Sequence, residues 1–203
     1  MIPVQFQPES NEFDRTIRQP GRAFLASTSA PIRWQNREYW RTALPALRRA
    51  YGGYCAYLAM KIPETVGNPT VDHFLPRKHY PNLAYEWSNF RLASALINAR
   101  KKSAMDLLDP FELAPGWFVL AFPSLLTLPA ETLQNKEQKQ VEHTIEVLKL
   151  NQMDVRQSRK AWVTNFALGK FSFEFLTEEQ PFVAHELQRQ KLDDRFKLRQ
   201  LFI

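Results

Sequence analysis

Between Thr70 and Lys102 the spacing of apolar and polar residues changes period twice, and this stretch organises the reading of the rest. The β-branched pair Thr70-Val71 leads into Asp72-His73, and Pro76 stops the run, which predicts a short strand. A loop rich in aromatic residues follows, then a second short strand beginning near Asn89. Leu92, Leu96 and Ala99 next fall at helical spacing. The expected order is therefore strand, loop, strand, helix.

Other segments read more simply. Met1 to Ile32 is broken by Pro3, Pro8, Pro20, Gly21 and Pro31, which predicts an extended arm with short helical turns at most. Tyr39, Trp40, Leu44 and Leu47 predict a helix within Trp34–Tyr51, kinked or restarted at Pro45 and ended by Gly52-Gly53. Tyr54–Ile62 is a short apolar strand or helical turn expected under the core, and 63–69 a turn. Gly116–Leu128 reads as a hairpin turning near Pro123-Ser124. Long helices are expected over 130–150, 154–168 and 180–201, with an aromatic segment through Phe171, Phe173 and Phe175 before the last. The fold class is α+β, one compact domain overall. It comprises an arm and basic helix over 1–50, a core over 51–110, and a hairpin with helices over 111–203.

Composition narrows the partners. With 44% hydrophobic and 13% aromatic residues, a chain of 203 residues can bury a core. No run approaches a membrane span, no secretory leader pattern opens the sequence, and a single cysteine makes no internal disulfide, so a cytoplasmic protein with no membrane partner is expected. Net charge is +6, and its distribution says more than its size. Five arginines stand against Glu38 alone over 33–49, and six Lys or Arg stand against Asp72 and Glu86 over 72–102. Two basic stretches flanking one candidate site suit a polyanion such as nucleic acid, although solvated faces would carry the same charges.

The candidate chemistry lies in the same stretch. A neutral imidazole is suited to taking a proton from water near neutral pH, and a carboxylate with an amide oxygen suits a hard divalent cation. Asp72-His73, Asn89 and Asn98 with Lys101, at this spacing, resemble the HNH endonuclease motif in its His-Asn-Asn form over roughly Tyr51–Asp106. The resemblance implies a ββα-metal nuclease core, here embedded in a mostly helical shell. It implies His73 as general base, Asn89 as a catalytic-loop brace that orients it, and Asp72 and Asn98 as ligands of one Mg²⁺ or Mn²⁺. Arg77, Lys78, Arg91, Arg100, Lys101 and Lys102 would bind nucleic acid, and Tyr80, Tyr85 and Trp87 would either stack on bases or anchor the loop. Many family members add a structural zinc on two Cys-x-x-Cys pairs. Here only Cys55 remains, with Leu58, Ser94 and Ile97 at the other positions, so no structural zinc is expected.

The chain is further similar to the HNH subunits of bacterial anti-phage systems, Septu-type and retron-linked, which implies an ATPase or other defence-system partner. The alternatives are a stand-alone restriction-type HNH nuclease and a non-cleaving nucleic-acid-binding subunit. His143 and His185, with no carboxylate partner evident in the sequence, read as structural or surface residues.

Overall fold

The computed structural model describes residues 1–64 and 66–202. Its N-terminal segment is more helical than the breakers suggest. A π-helical turn, Asp14–Arg18, runs directly into helix α1 (Gln19–Ala26), with Pro20 in the first turn, where its missing N–H costs little. Phe13, Ile17 and Gly21 are buried at successive four-residue steps. That stripe is hard to see in the sequence because its third member is a glycine. The glycine is required: a Cβ there would lie 2.1 Å from Cγ of the buried Tyr85. Gly21→Ala should therefore cost about 1–3 kcal/mol in a urea melt, as overpacking against a ring held on all sides does.

A 3₁₀ turn (Tyr39–Ala43) leads into helix α2 (Leu44–Ala50), and Pro45 restarts the helix as expected. Gly52 and Gly53, both at positive φ, follow its end. Strand β1 (Pro69–His73) pairs antiparallel with β2 (Phe90–Ser94), Asp72 opposite Arg91 and His73 opposite Phe90. Helix α3 (Ala95–Lys101) follows at once, capped by Ser94, whose Oγ accepts from Ile97 N at 3.4 Å, and it packs against both strands. Its buried face is Ile97 and Lys101, while Leu96 is exposed and Leu92 belongs to β2. The helical spacing assigned to Leu92, Leu96 and Ala99 had the wrong phase. The turn expected over 63–69 includes Thr65, which lies outside the described residues.

The chain divides into two compact units. Gln5–Cys55 and Ile62–Met105 form the unit just described. The other comprises Met1–Val4, Ala56–Lys61 and the chain from Asp106 onward. Leu58 thus belongs to the second unit, whereas Cys55 and Ile97 are buried in the first.

In the second unit, β3 (Phe118–Ala121) and β4 (Leu126–Pro129) form the expected hairpin. Helices α4 (Asn135–Leu148) and α5 (Met153–Ala167) bury Val141, Leu148, Val155, Val163 and Phe166. The aromatic segment is itself helical, α6 (Phe173–Glu179), capped by Ser172. The expected last helix is two, α7 (Pro181–Arg189) and α8 (Arg195–Phe202). Glu186, fully buried on α7, accepts from Leu120 N at 2.8 Å and pairs with Arg189, which ties the hairpin to the helix. The adjacent His185 has a carboxylate neighbour after all, with its Nδ1 3.3 Å from Glu186 Oε1. No helix among the described residues is long and apolar enough to cross a membrane.

Candidate active site

The hairpin β1–β2 delivers Asp72 and His73 at the end of one strand, and α3 places Asn98 beside them. Asp72, His73, Arg77, Lys78, Asn98 and Lys102 line one cavity of about 370 Å³. Four acid, base or amide roles expected from the sequence fall on the hairpin and its following helix, three of them on the cavity wall.

His73 is held from three sides. Its Nε2 lies 2.9 Å from the Ala84 carbonyl, so that nitrogen carries the proton and donates. The ring meets Trp40 edge-on at 4.9 Å between centroids and Phe90 at 5.3 Å. Burial pushes its pKa down to about 4, against the Ala84 hydrogen bond and the Asp72 charge, which favour the protonated ring. At neutral pH the imidazole is therefore neutral, and Nδ1 is its acceptor. His73 is only 7% exposed. Trp40, which completes this cage, lies far upstream and carries no local signal of it.

Asn89 does not line the cavity. Its Oδ1 accepts from Leu75 N at 2.8 Å, and its Nδ2 donates to Leu75 O at 3.0 Å and Leu83 O at 3.2 Å. The side chain staples the two ends of the 74–89 loop together, and that loop supplies the Ala84 carbonyl that orients His73.

The N-terminal segment grips the same loop at three consecutive residues. Tyr85 lies against Gly21 and donates from its hydroxyl to Arg37 O at 2.7 Å. Glu86 takes Arg18 Nε and Arg22 Nη2, each at 2.8 Å, and Arg18 also pairs with Glu9 and Asp14. Trp87 donates to Gln7 O at 2.8 Å and meets Phe13 edge-on. Both aromatic residues are buried, Tyr85 at 1% exposure and Trp87 at 2%, so they anchor the loop and are not available to bases.

Two expected surface cations are internal. Lys101 is fully buried, its Nζ 3.1 Å from Asp72 Oδ1 and 2.7 Å from the His73 carbonyl. Arg91 is 3% exposed and donates from Nη1 to Ser88 O and Phe90 O. On a strand paired to β1 and on the inner face of α3, these positions point inward, and the charges are absorbed by carbonyls and by Asp72. Neither offers a free charge to nucleic acid, and Arg100 does not line the cavity. The cations on its wall are Arg77, Lys78 and Lys102. Arg77 is half-buried, its guanidinium 4.7 Å above the Trp40 ring and 5.7 Å from Trp34. His79 and Lys78 are exposed.

Asp72 and Asn98 carry oxygen atoms of the kind a hard cation takes. Asn98 donates from Nδ2 to Thr70 Oγ1 at 3.1 Å, so its amide oxygen is the acceptor end of the side chain. That oxygen, with the Asp72 carboxylate, matches the sparse protein coordination of Mg²⁺, which keeps waters and takes substrate phosphate. Among the described residues no group of three or more His, Cys, Asp and Glu side chains could hold a metal ion.

No protein-family model matches the chain, and no curated protein matches it.

Proposed function

We propose that this chain is a metal-dependent HNH endonuclease, with a ββα-metal core formed by β1, β2 and α3, that hydrolyses phosphodiester bonds in DNA or RNA. The observation that carries the reading is His73, a buried neutral imidazole with Nε2 tied to a carbonyl, beside a carboxylate and an amide oxygen in a cation-walled cavity. In this reading His73 Nδ1 takes the proton of an attacking water, and the Ala84 carbonyl stabilises the charge that the ring acquires. Asp72 and Asn98 would hold Mg²⁺ or Mn²⁺, which supplies Lewis-acid stabilisation of phosphate and leaving oxygen when bound. Arg77, Lys78 and Lys102 neutralise the neighbouring phosphates. Asn89 keeps the loop, and through it the base, in place. The resemblance to anti-phage HNH subunits further supports a role as the effector of a defence system with an ATPase partner.

Asp72→Asn separates the charge from the hydrogen bond, because the amide still accepts from Lys101. Mn²⁺ affinity measured by calorimetry should fall at least about 10-fold, the least that even an outer-shell change costs, and plasmid nicking should fall with it. Unchanged Mn²⁺ affinity, or nicking equal to wild type, would reject the metal assignment.

A further inference from the structure

The 3₁₀ turn Tyr39–Ala43 packs against β1 and faces two ways. Trp40 points inward, 4% exposed, with its ring on His73. Its neighbour Arg41 points outward, with 73% of its side chain exposed, and has an ion-pair contact with Glu38 at 3.1 Å. An exposed pair of that kind contributes little and is readily exchanged for a phosphate. Arg37 is also exposed, braced over the Phe24 ring at 5.5 Å and donating to the Tyr39 hydroxyl at 3.2 Å. Arg77 joins this face to the cavity, because it lines the cavity while lying over Trp40 and Trp34. Its charge is opposed by Arg41 and favoured by Glu38, as expected of groups close to both. Trp40 thus lies against the candidate base and beneath Arg77, in the same turn that carries the exposed Arg41.

We infer that Arg37 and Arg41 extend the cationic wall of the cavity into a track for the phosphate backbone of a nucleic acid whose reacting phosphate sits at His73. The inference rests on the proposed nuclease reading and adds the direction in which the substrate leaves the site. The rings beneath the arginines are tied up with one another: Trp34 meets Trp40 at 5.8 Å and Phe24 at 6.1 Å. The track therefore reads backbone charge and not base identity.

The test is the salt dependence of binding, with the His73→Ala protein used to prevent cleavage and DNA and RNA duplexes as separate arms. Each phosphate contact contributes about 0.9 to the slope of log affinity against log salt on B-DNA. Arg37→Ala with Arg41→Ala should flatten the DNA slope by about 1.8. Arg15→Ala, which removes an exposed arginine on the N-terminal helix of the same unit, should leave it unchanged. Both changed sites are exposed, and matching thermal melts would show that the fold is retained. If the double variant keeps the wild-type slope in both arms, or if Arg15→Ala flattens it equally, the track is wrong while the nuclease reading stands. If the wild-type protein neither binds nor nicks nucleic acid, both fall.

Discussion

Replacing His73 by alanine is expected to slow phosphodiester cleavage by about 10²–10⁴-fold, the contribution of a positioned general base. The loss should appear under saturating Mg²⁺ or Mn²⁺ and should not be rescued by more metal. Unlike truncation of an exposed residue, this change also empties a cage lined by Trp40 and Phe90, so some stability goes with it. The wild-type pH profile carries a second signature. With the pKa held near 4 by burial, the base stays unprotonated well below the point where an ordinary histidine fails, and nicking should persist to about pH 5. Stability moves the opposite way. The folded pKa lies below the unfolded value of about 6.5, so the unfolded chain binds the proton first and stability falls as pH drops through that window. Urea melts should lose about 2 kcal/mol between about pH 7 and pH 5, and His73→Ala should lack that component. An acid limb of activity near 6.5 in the wild type would contradict this assignment.

Lys101→Ala should be the most destabilising single change in the site. It removes the buried ammonium beside Asp72, and breaking a buried pair from one side costs about 3–5 kcal/mol. Lys101→Met fills the space and should recover part of the packing without recovering the charge. Chemical denaturation of both variants measures this. If either melts like wild type, the pair is dispensable. The result also bears on affinity: because the side chain is internal, loss of nucleic-acid binding should track loss of folded protein and should not appear as a flatter salt slope.

Much of the site geometry was legible because it is local. The strand–loop–strand–helix order, Asp72-His73 at a strand end, Asn98 on the helix and Asn89 at the loop's far end all lie within one stretch, where periodicity and turn chemistry operate. What was missed is non-local or contrary to type. Lysine and arginine are almost never fully buried without partners, so nothing in the spelling of Arg91 or Lys101 marks them as internal. Their partners include backbone carbonyls, whose positions no residue letter encodes. The helix phase slipped for the same reason: Ile97 and Lys101 make the buried face, and a pattern built on apolar letters passes over the lysine. The N-terminal helix escaped because proline and glycine read as breakers, although Pro20 sits in the first turn and Gly21 admits the Tyr85 ring.

The grip of the N-terminal segment on Tyr85, Glu86 and Trp87 reaches well outside the stretch that carries the motif. A fragment cut to 51–110 would retain every letter of the motif, yet it would lose Gln7, Phe13, Arg18, Gly21 and Trp40. The loop that presents the Ala84 carbonyl would then lose these upstream anchors, and the His73 ring would lose the Trp40 side of its cage. For this protein the stretch that carries the motif and the stretch that holds its histidine in place are different lengths of chain, and trimming toward the motif removes Trp40 and the upstream anchors of the loop.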